Sequence, residues 1–359
     1  MFLFITLFLL SVGSFDFACS SKNIPSQKGV KNAPKDTNLE NIELVETTDP
    51  FLVSETDTPS NERCLKAKHY PSTNEYRLDL FFPHVKNLGG CYLGVGTDQN
   101  LTLASWARSE YIYLMDFDEI SVGINRLHIL WLKRSPEFAV FQELWDPANF
   151  RQNRDWLQNN ISDSRLRENL LESYKIAIGP SGVPQRLKTM QELSKKFPFF
   201  SFHNNPEDYQ WLRQLALKNR IQAYSGNLLG DLSIQSTAKS LDKISCKLSI
   251  FYFSNAEEYF RYPESFRKNL LSLPVSKNSF AIRTVSGGAK QFGFPEGEKF
   301  PEIPFHYNIQ NLENMKEWMR FTTPLSVFRM VATKKDLGTG ISIVDKTPQI
   351  LKWKELGKY

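Results

Sequence analysis

The stretch CYLGVGTDQNLTLASWARSEYIYLMDFD, residues 91–118, decides the fold. Cys91, Tyr92 and Leu93 begin an apolar run of strand type, and Gly94-Val95-Gly96 turns it. Leu101, Leu103, Ala104, Trp106 and Ala107 follow as an apolar helical run. Tyr111 to Met115 is a second short strand, ending on Asp116-Phe117-Asp118. Residues 119–134 then read as a helix with Ile120, Ile124, Leu127 and Trp131 on one face. Strand, glycine turn, helix, strand, acid and helix in that order make a βαβ unit of a parallel sheet.

The unit predicts an α/β, Rossmann-like three-layer sandwich. Gly94 and Gly96 let the backbone turn tightly and approach a ligand with no Cβ between. The following helix aims its positive end at the same spot. Asp116, 22 residues after Gly94, is the carboxylate placed to hold two ribose hydroxyls, with Asp118 second. A βαβ turn without a ligand has the same outline. A dinucleotide fingerprint wants a third glycine where this chain has Gln99. The class I methyltransferases, which bind S-adenosylmethionine, often carry Gly-x-Gly-x-Gly and an acid on the next strand, and Asp98 stands at their third glycine.

A second segment points to the same crevice. Asn205-Pro206-Glu207-Asp208 is a helix start with Asn as cap, Pro in the first turn and acids at the positive end. Trp211, Leu212, Leu215 and Ala216 continue it at helical spacing. Residues 220–224 lead into Ser225-Gly226-Asn227-Leu228-Leu229-Gly230-Asp231, and a helix is expected over 234–241. Cys246 to Phe253 reads as a buried strand ending on Ser254-Asn255-Ala256-Glu257-Glu258-Tyr259. Ser254 or Asn255 is suited to cap a helix there. Polar groups just past central strands of an open α/β sheet line its ligand crevice.

These motifs together resemble an uncharacterised bacterial, spirochaete-type lipoprotein family whose core is similar to class I methyltransferases. The resemblance runs from about Tyr92 to Arg283, and Ser254-Asn255-x-Glu257-x-Tyr259 is its most specific part. It implies a cofactor-binding set of Gly94, Gly96, Gln99, Asn100, Asp116, Asn227 and Ser254, with Asn255, Glu257 and Tyr259 as catalytic candidates and Arg283 also marked. Two departures weaken the match. An aspartate of the family is Asn227 here, and its Asp-Ile-Arg is Asp116-Phe117-Asp118. The family carries no settled activity, and a fold alone assigns none.

The ends of the chain carry a different message. Residues 1–10 (MFLFITLFLL) are apolar except for Thr6, too short to span a bilayer but suited to a signal-peptide core. Ala18-Cys19 resembles a loose lipobox, which makes Cys19 the lipidation candidate and 1–19 a lipoprotein signal peptide. Asp16 and Phe17 fit that box poorly, and no basic residue precedes the apolar run. Residues 20–63 hold five basic and eight acidic residues with four prolines and one aromatic, Phe51. Such composition predicts a flexible linker; the alternative is an acidic arm packed on a basic domain. The folded domain is then 64–359, with a helical insertion at about 146–204 able to cap the crevice. The expected location is a membrane-anchored lipoprotein, periplasmic or cell-surface.

Composition excludes several classes. The chain has 359 residues, 41% hydrophobic and 23% charged, which is ordinary for a globular protein. A net charge of +5 gives no argument for nucleic acid. Cys64, Cys91 and Cys246 cannot all pair, and the last two sit beside strand-like runs as buried thiols would, so no essential disulfide is expected. The five histidines form no metal-ligand spacing, and there is neither a nucleophile elbow nor a Walker loop. Residues 287–304, rich in Gly and Pro, read as a loop, and 341–344 as an edge strand.

Three functions stand at this level. One is methyl transfer from S-adenosylmethionine, with the cofactor over Gly94–Gly96, its ribose on Asp116, and Asn255 and Glu257 orienting the acceptor. Such transfer needs mainly in-line positioning, so the lack of a catalytic dyad does not exclude it. The second is a lipoprotein that binds another small molecule in the crevice. The third is a structural or host-contacting surface protein on a re-used fold.

Overall fold

A computed structural model describes residues 51–59, 69–198, 201–286, 289–298, 304–321 and 323–348. The signal segment, Cys19 and Cys64 lie outside the described residues. The strands are β1 (Cys91–Val95), β2 (Tyr111–Asp116), β3 (Ile221–Ser225), β4 (Leu248–Tyr252), β5 (Val275–Val285), β6 (His306–Asn311), β7 (Lys335–Gly338) and β8 (Ile341–Val344). They form one sheet in the order β3-β2-β1-β4-β5-β6-β8-β7. β1 to β5 run parallel, β6 is antiparallel to β5, and β8 pairs parallel with β6 and antiparallel with β7.

This is the Rossmann-like α/β sheet that 91–118 predicts. The chain steps outward from β1 to β3, then returns to the other side of β1 as β4. The topological switch point therefore lies between β1 and β4, where ligands of open α/β sheets bind. All residues of β1 and β4 are buried, as strands covered on both faces must be. Alternation divides β1 between two cores. Tyr92 faces Leu101, Ile112 and Trp131, while Cys91, Leu93 and Val95 face Tyr113, Phe251 and Leu270.

Three features differ from expectation. Helices begin before 146: Phe138–Leu144, Phe150–Asn160, Ser164–Ala177 and Val183–Lys196 fill the space between the Glu119–Arg134 helix and the Pro206–Leu217 helix. The linker does not run free to 63. Phe51 is buried against the rings of Tyr111 and Tyr113. The Val53 N–H donates to Gln222, and the N–H groups of Ser54 and Glu55 donate to Ser236 Oγ. One aromatic and a period-free polar run hid this contact, so the packed-arm alternative holds for 51–59. Cys91 and Cys246 form a disulfide, Cα to Cα 6.1 Å, rather than two buried thiols. The parallel β1–β4 pairing brings them together across 155 residues of chain.

Within the expected loop, Ala289–Phe292 forms a short helix. The Asn205 cap is present, accepting from the N–H groups of Glu207 and Asp208. No described helix is long and apolar enough to cross a membrane.

Candidate functional site

The glycine turn is closed by its own neighbours. A Cβ on Gly94 would stand 1.9 Å from Asn100 Oδ1, and one on Gly96 would stand 2.3 Å from Gln99 Nε2. Gly96 also has φ +96°, a backbone few side chains tolerate. The first residues of the Gln99–Ala107 helix thus fill the space beside both glycines. Asn100 accepts from Tyr92 Oη at 2.8 Å and donates to the carbonyls of Val95 and Thr97, both at 3.1 Å. Gln99 Oε1 accepts the Thr97 N–H at 3.1 Å.

Asp116 does stand at the end of β2, beside the turn. It is 7% exposed. Its carboxylate accepts the Gly96 N–H at 3.2 Å and the Asp118 N–H at 2.9 Å. Burial pushes it up to about 7, and nearby Asp118 adds to the rise; hydrogen bonds from the backbone oppose it. Asp118 caps the 119–134 helix through the Ile120 N–H and contacts His69 Nδ1 at 3.0 Å. Asn125, from the same helix, donates to the Gly96 carbonyl at 2.8 Å.

Asp98, at the third-glycine position, is a clamp. Oδ1 accepts the Thr73 N–H at 2.9 Å, and Oδ2 meets Arg186 Nε of the insertion at 3.1 Å. One carboxylate therefore pins both the 69–79 segment and the helical insertion onto the turn.

Past the carboxyl ends of β4 and β5 stands Glu75, which no sequence motif marked. Its side chain is fully buried. Oε1 accepts from Ser254 Oγ at 2.9 Å and from Thr284 Oγ1 at 2.5 Å. Oε2 accepts from Thr73 Oγ1 at 3.1 Å and from Tyr252 Oη. Tyr252 and Ser254 lie at the end of β4, and Thr284 lies in β5. Burial raises the Glu75 pKa, against the pull of those hydroxyls. Ser254 has φ +52° without being glycine, a costly backbone for a residue with a Cβ. Its hydroxyl holds Glu75 and does not cap a helix as expected.

Of the three catalytic candidates, Asn255 and Tyr259 touch each other, and Glu257 is turned into the core. Glu257 is 1% exposed and pairs with Arg283 at 2.6 Å, also accepting from Tyr262 Oη at 2.5 Å. Arg283 donates onward to Asn308 and Gln310. Glu257 therefore sits in a core ion pair with Arg283. Tyr259 is 75% exposed. Asn255 stands at the N-cap of the short Ala256–Tyr259 helix without a side-chain cap bond; its amide donates to Glu258 and Tyr259 at 3.4 and 3.5 Å.

Asn227 is engaged as well. Its Oδ1 accepts the Leu229 N–H at 2.9 Å, a local Asx turn. Its own N–H donates to Asp57, whose carboxylate also accepts from Leu232 and Ser233 N–H at the start of the Ser233–Lys243 helix. A Cβ on Gly230 would meet that carboxylate at 2.3 Å. Asp57, an acid of the expected linker, thus fills the loop after β3.

Residues 70–345 match the family model described as Domain of unknown function (DUF7790), and the chain belongs to that family. No curated protein matches it.

Proposed function

We propose that this DUF7790 protein is an exported, membrane-anchored lipoprotein whose Rossmann-like domain no longer works as an S-adenosylmethionine-dependent methyltransferase and serves as a non-catalytic binding domain at a membrane surface. The observation that carries the reading is Glu75, seated on four hydroxyl donors, three of them at the ends of β4 and β5 beside the crevice where a nucleoside cofactor would lie. The turn and the β2 carboxylate keep the outline of such a site. Asn100, Gln99 and the Gly96 N–H occupy the contacts a cofactor would need.

The Cys91–Cys246 disulfide supports export, because such bonds persist in oxidising compartments. S-adenosylmethionine is a cytoplasmic metabolite, so an exported methyltransferase would lack its donor. A lipid on Cys19 would hold the domain beside the membrane through the residues before Phe51.

Calorimetric titration of the full chain with S-adenosylmethionine and S-adenosylhomocysteine tests the crevice. The reading predicts no saturable heat, and micromolar binding would restore the enzyme. Labelling with radioactive palmitate tests the anchor. Incorporation lost in Cys19→Ala is expected, and no label in the parent chain would remove the lipoprotein reading.

A further inference from the structure

The amino edge of the sheet, opposite the crevice, holds a cavity that the proposed function leaves unused. The Gly90 carbonyl accepts the Glu110 N–H at 2.8 Å, and the Lys247 carbonyl accepts the Cys91 N–H at 2.9 Å. These bonds set the chain entering β1, β2 and β4 side by side. A cavity of about 320 Å³ opens between them and the first residues of β5, large enough for a small ligand. Cys246 lines it and Cys91 does not, although the two share a disulfide.

The halves of that bond differ in access. Cys91 is 0% exposed, in a strand covered on both faces. Cys246, just before β4, is half-buried on the cavity wall. Thiol–disulfide exchange needs a thiolate to reach one sulfur, so access selects Cys246. The remaining wall is mostly polar. Glu110 brings a carboxylate and Lys247 an ammonium, and Ser245, Ser276 and Asn278 line the same cavity. No ion pair among the described residues uses either charge. A ligand with one group of each sign complements both.

We infer that the cavity is a thiol-exchange site for a small thiol bearing both an ammonium and a carboxylate group, and that Cys246 is the sulfur attacked. The inference does not rest on the proposed function. The incoming thiolate forms a sulfur–sulfur bond to Cys246 Sγ as the Cys91–Cys246 bond breaks. The electron pair of the broken bond leaves on Cys91 Sγ, which takes up a proton. The incoming thiol is thereby oxidised to the mixed disulfide, and Cys91 is reduced. Attack by Cys91 on Cys246 reverses the step and expels the thiol. Each cycle unties and reties β1 and the chain entering β4, the two strands at the switch point.

The full chain with Cys19→Ser and Cys64→Ser keeps only the bonded pair of cysteines. Under native conditions it is treated with reduced glutathione, which carries both kinds of charge, or with 2-mercaptoethanol, which carries neither. Acid quenching and peptide mass mapping locate the products. A glutathione adduct on Cys246 with a free thiol on Cys91 is expected. With each rate scaled to the same thiol's rate on a linear peptide disulfide, glutathione should exceed 2-mercaptoethanol about tenfold. Glu110→Gln together with Lys247→Met should remove that preference, circular dichroism establishing that the variant is folded. Four results overturn the inference: an adduct on Cys91, exchange only at urea concentrations that unfold the chain, equal scaled rates for the two thiols in the parent, or an unchanged preference in the folded variant.

Discussion

Single residues decide whether the glycine turn can hold a ligand. Gly94 is glycine because Asn100 occupies its Cβ space, at 1.9 Å. Gly94→Ala must displace a side chain that has three hydrogen bonds. It should cost about 1–3 kcal/mol by overpacking, read as a lower urea midpoint; a variant as stable as the parent would mean the turn is loose enough to open. Asp116 provides a second test. Its pKa is pushed up to about 7 in the fold from an ordinary value near 3.8. Below pH 4 both folded and unfolded chains hold the proton. Between about 4 and 7 the unfolded chain gives it up first, so the folded state binds more protons and loses stability as pH rises. Above 7 the difference is constant. Relative to the parent, Asp116→Asn should therefore gain stability as pH goes from 4 to 7, by at most roughly 4 kcal/mol. Urea unfolding at both pH values reads this out, and a constant difference would mean that Asp116 titrates normally. Glu75 and Glu298 are raised by burial as well and act with the same sign.

At the scale of elements, two long-range ties hold pieces that the sequence leaves apart. Residues 51–59 dock through Phe51 at one end and Asp57 at the other. Asp57 serves three backbone N–H groups, two of them at the start of the Ser233–Lys243 helix. Asp57→Ala should cost about 1–2 kcal/mol, as removal of a helix cap does. Hydrogen exchange should rise first in 51–59 and 227–233; unchanged exchange there would show that the arm is held by Phe51 alone. The disulfide ties β1 to the chain just before β4. Cys246→Ser should lower stability by about 2–4 kcal/mol, with a matching loss for the parent chain under reductant. Equal unfolding curves with and without reductant would argue against the bond and with it against an oxidising compartment.

These ties also mark how far the sequence could be read. The apolar runs of β1, β2 and β4 and the Asn205 cap are legible because each is a local pattern with a period or a fixed offset. The spacing from Gly94 to Asp116 correctly brings that carboxylate to the turn, where it accepts the Gly96 N–H. Glu75 was not legible, since no spacing connects residue 75 with hydroxyls at 252, 254 and 284. Asp57 sits in a run whose composition reads as linker, and three bonds to a distant loop order it. The Glu257–Arg283 pair was not legible, because a strand-end acid looks the same whether it faces a crevice or a buried arginine. The cysteine count was odd, so pairing had to come from the strand order.

Over the whole molecule, three separate parts of the chain bond to the carboxyl edge of the sheet. The 69–79 segment supplies Glu75 and the Thr73 N–H, the insertion supplies Arg186, and the arm supplies Asp57. Each covers a different part of the carboxyl edge of the sheet, at the turn, past β4 and β5, and at the loop after β3. A fold that closes its crevice from three separate parts of the chain is stabilised by that closure. A ligand seated at Glu75 would have to displace a buried carboxylate from four donors. The most direct measurement is a crystal structure of the protein grown with excess S-adenosylhomocysteine. The account predicts Glu75 still bonded to Tyr252, Ser254 and Thr284, with no nucleoside between β1 and β4. Density for a nucleoside with its ribose on Asp116 and Glu75 driven out would contradict it.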